Sequence, residues 1–378
     1  MVAFQNAIAA FGMVLTLAGC SSPANPATSH SLCSESHCIV SLATPPTGAF
    51  APLASIEAVV TTVDYFDATH VLWRESSGTA HGSVSLWSLD VSSGQMTPVF
   101  ERAGYGVTDA TIRNGTAMFS TWPIGRVSGS ETYSWSPGEG LQGLQQPAWA
   151  PTEGIFQTSG DGWAGYFIRT GTTAHYSIFE QSSGRLLLEV PGTTEGMAPP
   201  SNAYVNGVTS LDGKLVLPWH SGGATGTSLV ETDPWTGLNR TLFTTSHNLD
   251  NGFSLSPQVM TFIEGPQNQL WAYRVSDGKD IQLSQPGWWT PWANQEGAIV
   301  YYLREQIPAD RHEMNFTTVL TRLDVATMHQ EDWTVQGPGH SLTGCDVHDG
   351  RAYVSMVEQM SPPRSVLYAM QLPNSAIR

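Results

Sequence analysis

Apolar and polar positions alternate along most of the chain after residue 50, in short runs broken by glycine. SLWSLDVSSG (85–94) is one such run. Leu86, Trp87 and Leu89 mark a strand, and Asp90 followed by Ser92-Ser93-Gly94 marks a tight turn. The pattern recurs as ETYSWSPGEG (131–140), HYSIFEQSSG (175–184), SLVETDPWTG (228–237), LWAYRVSDG (270–278) and VLTRLDVATM (319–328). It runs out in SVLYAMQLP (365–373). The turn residues expected from this series are Gly94, Gly138, Gly184, Gly237, Gly278 and Met328.

A second series interleaves with the first: a strand, a polar-glycine hairpin turn, then a strongly apolar strand. TIRNGTAMFSTW (111–122), TSGDGWAGYFIR (158–169), SLDGKLVLPWH (210–220), NQEGAIVYYLR (294–304) and VHDGRAYVSM (347–356) carry it. YFDATHVLWR (65–74) and SLSPQVMTFIE (254–264) are copies with other turn residues. Asp-Gly and Asn-Gly between apolar runs are strong hairpin signals. Four strands per unit at a period of about 40–50 residues predict the blades of a β-propeller. The expectation is an all-β, seven-bladed β-propeller, with six or eight blades as alternatives. The last unit lacks a fourth strand, and CIVSLAT (38–44) is expected to close the ring as the outer strand of the last blade.

Third strands that run into Asp-x-x-[Ser/Thr]-Gly turns, as at Asp90–Gly94 and Asp233–Gly237, resemble bacterial TolB-like and WD40-like propeller repeats. The resemblance covers roughly 38–375 and implies architecture, since propellers host many unrelated activities.

The first twenty residues are different. MVAFQNAIAAFGMVLTLAGC has no charged side chain, and its apolar stretch is too short for an ordinary membrane span. Leu17-Ala18-Gly19-Cys20 resembles the lipobox of bacterial lipoproteins. The resemblance implies a signal peptide over 1–20, lipidation of Cys20, a flexible tether over 21–37 and one propeller domain over 38–375. The chain is then expected to be extracytoplasmic, in the cell envelope, lipid-anchored to a bacterial membrane. Cys33 and Cys38 are the expected disulfide, and Cys345 the expected buried thiol.

Composition narrows the partners. The chain has 37 Gly, 24 Pro and 13% charged residues, which suits a turn-rich β-protein. The formal net charge is −16, and the 16 Lys and Arg are scattered, so nucleic acid is not an expected partner. No zinc-ligand spacing, nucleophile elbow or H-E-x-x-H stretch occurs. No resident cofactor is expected.

Long, irregular segments fall after the second strands and before the first strands, which share one end of a propeller. Two sets of residues there are candidate ligand-binding groups. One is a polar series at the second-strand exits: Arg74, Arg169, His220, Glu264, Arg304 and Glu358. The other is aromatic: Trp288, Trp289 and Trp292 in QPGWWTPW, with Trp122, Trp149 and Trp219 in corresponding places. QPGWWTPW reads as a proline-rich surface loop. Exposed indoles would stack on sugars or partner side chains, and the alternative is packing between blades. Asp64, Asp109 and Asp346 take similar places on inner strands. Converging, they would hold a channel cation such as Ca2+ or act as acid and base; separately, they would cap turns. The leading reading is a monomeric, non-catalytic module binding an envelope protein or a glycan. The alternative is an extracellular polysaccharide hydrolase or lyase using the channel carboxylates.

Overall fold

The structure is a computed structural model. It describes residues 31–34, 37–40, 47–56, 60–65, 67–76, 83–107, 110–113, 115–123, 131–144, 154–170, 173–192, 203–205, 207–211, 213–220, 226–246, 249, 253–264, 269–286, 288–306, 317–335, 340–358 and 364–373. The described elements are all β-strands. Four-stranded antiparallel meanders follow one another at 60–103, 105–144, 154–192, 204–245, 253–282 and 288–335, and a parallel bridge between Gly192 and Val205 joins the third and fourth into one nine-stranded sheet. A further sheet orders Ala51–Ile56, Arg364–Gln371, Arg351–Glu358 and His340–His348. In the 105–144 and 204–245 meanders the first strand is broken into two short pieces.

The recurring turn has one geometry. Gly94 N donates to the Asp90 carbonyl (2.7 Å), and Asp90 N donates to the Gln95 carbonyl (2.9 Å). The Asp90 carboxylate accepts from Ser92 N (2.8 Å) and Ser92 Oγ (2.6 Å), and the Ser92 hydroxyl holds its pKa down at about 2. Gly94 has φ +70°, a conformation that a Cβ disfavours. The same backbone bond joins Glu180 to Gly184, Asp233 to Gly237, Arg274 to Gly278 and Asp324 to Met328. Met328 takes φ +61° with a side chain present. In the 105–144 meander the left-handed residue is Gly140 (φ +68°), not the expected Gly138.

Each apolar cluster joins neighbouring four-stranded units. Leu72 and Leu86 pack with Phe119 and Trp135, and Met118 packs against Phe156 and Tyr166. Trp163 and Ile178 pack with Leu215 and Leu217; Val216 and Leu229 pack with Met260 and Phe262. Val259 and Leu270 pack with Val300 and Tyr302, and Tyr301 and Leu320 pack with Val354 and Tyr368. One more cluster joins Val63, Val71 and Trp73 to Leu53, Tyr353 and Leu367. Thus the 60–103 meander shares cores with both the 105–144 meander and the 340–371 sheet. Trp73 Nε1 adds a bond to Ser355 Oγ (3.2 Å) across that last junction.

Two expectations are corrected. The strand paired to Arg364–Gln371 is Ala51–Ile56, not CIVSLAT. His37–Val40 pairs instead with Ser31–Ser34 in a separate hairpin, for which the backbone alone is described. The WWTPW part of QPGWWTPW is not a loop: Trp288–Glu296 is the first strand of the 288–335 meander. Both strands contain proline, and both lie at a sheet edge. Their registers shift between Pro52 and Ala54 and between Trp289 and Trp292, so each irregularity lies at or around the proline. An edge strand leaves some N–H groups outside the ladder, so a residue lacking one is tolerated there.

Candidate functional site

Up-and-down strand order puts the first-to-second and third-to-fourth turns at one end of every meander. The other end carries the strand-two exits and the segments leading into strand one. At that second end, the 288–335 meander holds a connected polar and aromatic group. Arg304 lies on Ile299–Gln306 and is only 8% exposed. Its Nε donates to Thr321 Oγ1 (2.9 Å) and its Nη2 to Asp332 Oδ2 (2.6 Å). Thr321 Oγ1 donates in turn to Asp332 Oδ1 (2.8 Å). The guanidinium carbon stands 4.9 Å from the centre of the Trp288 ring.

This arrangement is set by strand pairing. Tyr302, Thr321 and Asp332 are successive cross-strand partners, so Thr321 and Asp332 share the sheet face of Arg304, two positions along from Tyr302. The buried cation is neutralised by a carboxylate and stacked on an indole, two contacts that suit a planar guanidinium. Trp288 is therefore backed by an anchored group, not by a mobile side chain. The half-buried Trp289 pairs in register with Glu305, a carboxylate 5% exposed. Trp292 is half-buried and packs on the cluster of Tyr301 and Leu303. Thr290, between these indoles, is buried, and its Oγ1 has no hydrogen-bond partner among the described residues.

The other predicted residues are dispersed over different sheets. Arg74 Nη1 donates to the Val107 carbonyl (2.7 Å) and so ties one meander to the next. His220 is buried, stacked on Tyr204 (5.0 Å, 10°), with Nδ1 3.2 Å from Thr227 Oγ1. Arg169 is exposed at the end of Trp163–Thr170, and Trp219 is half-buried against the Trp163 cluster. Asp346 accepts from Asn294 Nδ2 (3.0 Å), which also donates to the Val347 carbonyl (3.2 Å). Asp64 is half-buried. Among the described residues no group of three or more His, Cys, Asp or Glu could hold a metal ion. Cys20, Asp109 and Trp149, and the side chains of Cys33, Cys38, Trp122, Glu264 and Glu358, lie outside the described residues. Cys33 and Cys38 face each other in backbone register.

Lateral bonds that the strand pattern did not reveal tie the first strand Trp288–Glu296 to the sheets on either side. Gln295 Nε2 donates to Ser254 Oγ (2.8 Å) and Thr261 Oγ1 donates to Gln295 Oε1 (3.0 Å). His348 Nδ1 lies 3.0 Å from Glu296 Oε1, and that bond raises the pKa of the imidazole. The run Asn294-Gln295-Glu296, polar on both faces of one strand, was the available signal. Cys345 is a free, buried cysteine, and burial pushes its thiol pKa well up. It is an inert core residue, as expected.

Comparison with solved structures places the fold. The chain is similar to the β-propeller domain of the Trilobed protease from Pyrococcus furiosus, described as having an open velcro topology. The TM-score is 0.53 at 12% identity, over 85% of this chain and 97% of that one. The fold is a β-propeller. Lesser likenesses are to a puromycin hydrolase S511A mutant complexed with PGG (TM-score 0.46, 12% identity, 80% of this chain) and to prolyl endopeptidases (0.48, 10%, 79%). The chain spans about half the length of those two, 50% and 46%. No family model and no curated protein matches the chain.

Proposed function

We propose that this chain is a lipid-anchored, extracytoplasmic β-propeller of seven blades that binds a glycan or a protein partner through its loop-rich end and does no chemistry itself. The seven-blade count is supported by the succession of four-stranded units, each sharing an apolar cluster with the next. Closure by Ala51–Ile56 in the last blade is supported by its pairing with Arg364–Gln371. The lipobox-like Leu17-Ala18-Gly19-Cys20 supports the anchor, and the facing register of Cys33 and Cys38 supports a disulfide.

The observation that carries the binding role is the Trp288–Arg304–Asp332 stack. A ring immobilised before the ligand arrives loses little conformational entropy on binding, which favours aromatic platforms in recognition. The engagement of Asp346 with Asn294 favours a scaffold role for the inner-strand carboxylates over acid–base work.

The test uses the chain with Cys20→Ala, which should leave the membrane fraction for the soluble one. Its binding to a glycan array and to envelope extracts is then compared with that of Trp288→Ala. Loss of at least about tenfold in affinity on Trp288→Ala is expected for a central aromatic anchor. Unchanged binding removes Trp288 from the site. Turnover of a polysaccharide that is lost in Asp346→Asn overturns the non-catalytic reading.

A further inference from the structure

The turn end also carries a cavity, remote in kind from the platform just described. Between the 204–245 and 253–282 meanders lies a cleft of about 240 Å³. Its walls include Leu211, Leu242, Leu255 and Val275, all half-buried over the core of Phe243 and Met260. Ser256 also lines it, but the Ser256 hydroxyl already donates to the Gly297 carbonyl (2.7 Å). The walls therefore offer apolar contact, and the polar chemistry sits among three charged side chains.

Lys214, Glu231 and Arg240 supply that chemistry. Arg240 Nη2 donates to Glu231 Oε2 (2.7 Å), and Lys214 Nζ stands 3.5 Å from Glu231 Oε1. One carboxylate serves two cations, leaving a single formal positive charge on a chain whose net charge is −16. The carboxylate is the more buried member, 18% exposed, whereas the Lys and Arg side chains are 59% and 68% exposed. Both cations thus keep donors turned to solvent beside an apolar hollow. A cavity of about 150 Å³ admits a benzene ring. A cleft of this size has room for a ring and a short acidic arm.

We propose that this cleft binds a small amphipathic carboxylate, with an aryl or branched-alkyl body in the hollow and its anion on Arg240 and Lys214. The carboxylate could belong to a free acid or to the C-terminal residue of a peptide. The chemistry is the same, and the measurement separates them.

The probe is phenylacetate, titrated into the purified chain and followed by protein NMR, with neutral phenylacetamide as the comparison. Saturable shifts at the cleft are expected, with the acid binding at least about tenfold tighter than the amide. Arg240→Gln should abolish that preference, and because Arg240 is exposed the variant should melt with the parent. Leu242→Asp should block both probes, whereas Trp288→Ala, at the other end, should leave phenylacetate binding unchanged. A Phe-terminated peptide acid binding tighter than phenylacetate identifies a chain terminus as the source; weaker binding identifies a free acid. Equal binding of acid and amide, or no saturable binding of either, overturns the proposal.

Discussion

The two ends of the strands are built on different physics. At the turn end, order is local. Asp90 and Gly94 are four residues apart, and the hydrogen bonds that close the turn run among Asp90, Ser92, Gly94 and Gln95. At the loop end of the 288–335 meander, order is non-local. Arg304 depends on Thr321, Asp332 and Trp288, each supplied by a different strand. Local order repeats and leaves a signature that recurs along the chain. Non-local order differs from sheet to sheet, and there a binding surface can diversify without disturbing the scaffold.

The sharpest way to break this contrast is at Arg304. Arg304→Ala strands Asp332 and removes the support of Trp288. It should cost about 2–4 kcal/mol, at or below the usual range for a broken buried pair because Asp332 is partly hydrated. Urea unfolding measures it, and Arg304→Met, which refills the volume, should recover part of the loss. At the turn end, Gly94→Ala should cost about 1–2 kcal/mol, the price of a Cβ in the left-handed region, with no effect on Trp288 fluorescence. Met328→Gly tests the same rule in reverse. It should stabilise the protein by about 0.5–1 kcal/mol, seen as a higher melting temperature.

The smallest expected effect concerns the tie between Glu296 and His348. Bonding to Glu296 raises the folded pKa of His348 above its ordinary 6.5. The stabilisation is therefore full below pH 6.5 and is lost as pH rises through the raised folded value. His348 is half-exposed, so the change is small. Glu296→Gln should flatten stability against pH just above 6.5 while leaving the acid limb, to which Asp90 contributes as pH falls from 3.8 towards 2, in place.

Where sequence reading failed, it failed for physical reasons. Pro291 argued against a strand, yet Trp288–Glu296 lies at a sheet edge, as does the proline-containing Ala51–Ile56, and a missing N–H is tolerated there. Edge position is a property of the assembled sheet and cannot be read from the residues of the strand. Gly138 and Gly140 look equivalent in SPGEG, and only the register of Ser136 with Gly140 selects the second. The exit residues Arg74, His220 and Arg304 were legible as a positional series. Their partners Val107, Tyr204 and Asp332 were not, since each contact is set by the packing of strands far apart in the chain or by a neighbouring sheet.

The sequence by itself determined the all-β class, the strand–turn period and most of the turn residues, because alternation and turn chemistry are local. Only the tertiary structure decided which N-terminal strand pairs with the last one, that WWTPW is a strand, and that Arg304 is a buried support for Trp288. Those outcomes depend on which surfaces meet and lose water, and no single strand carries that information.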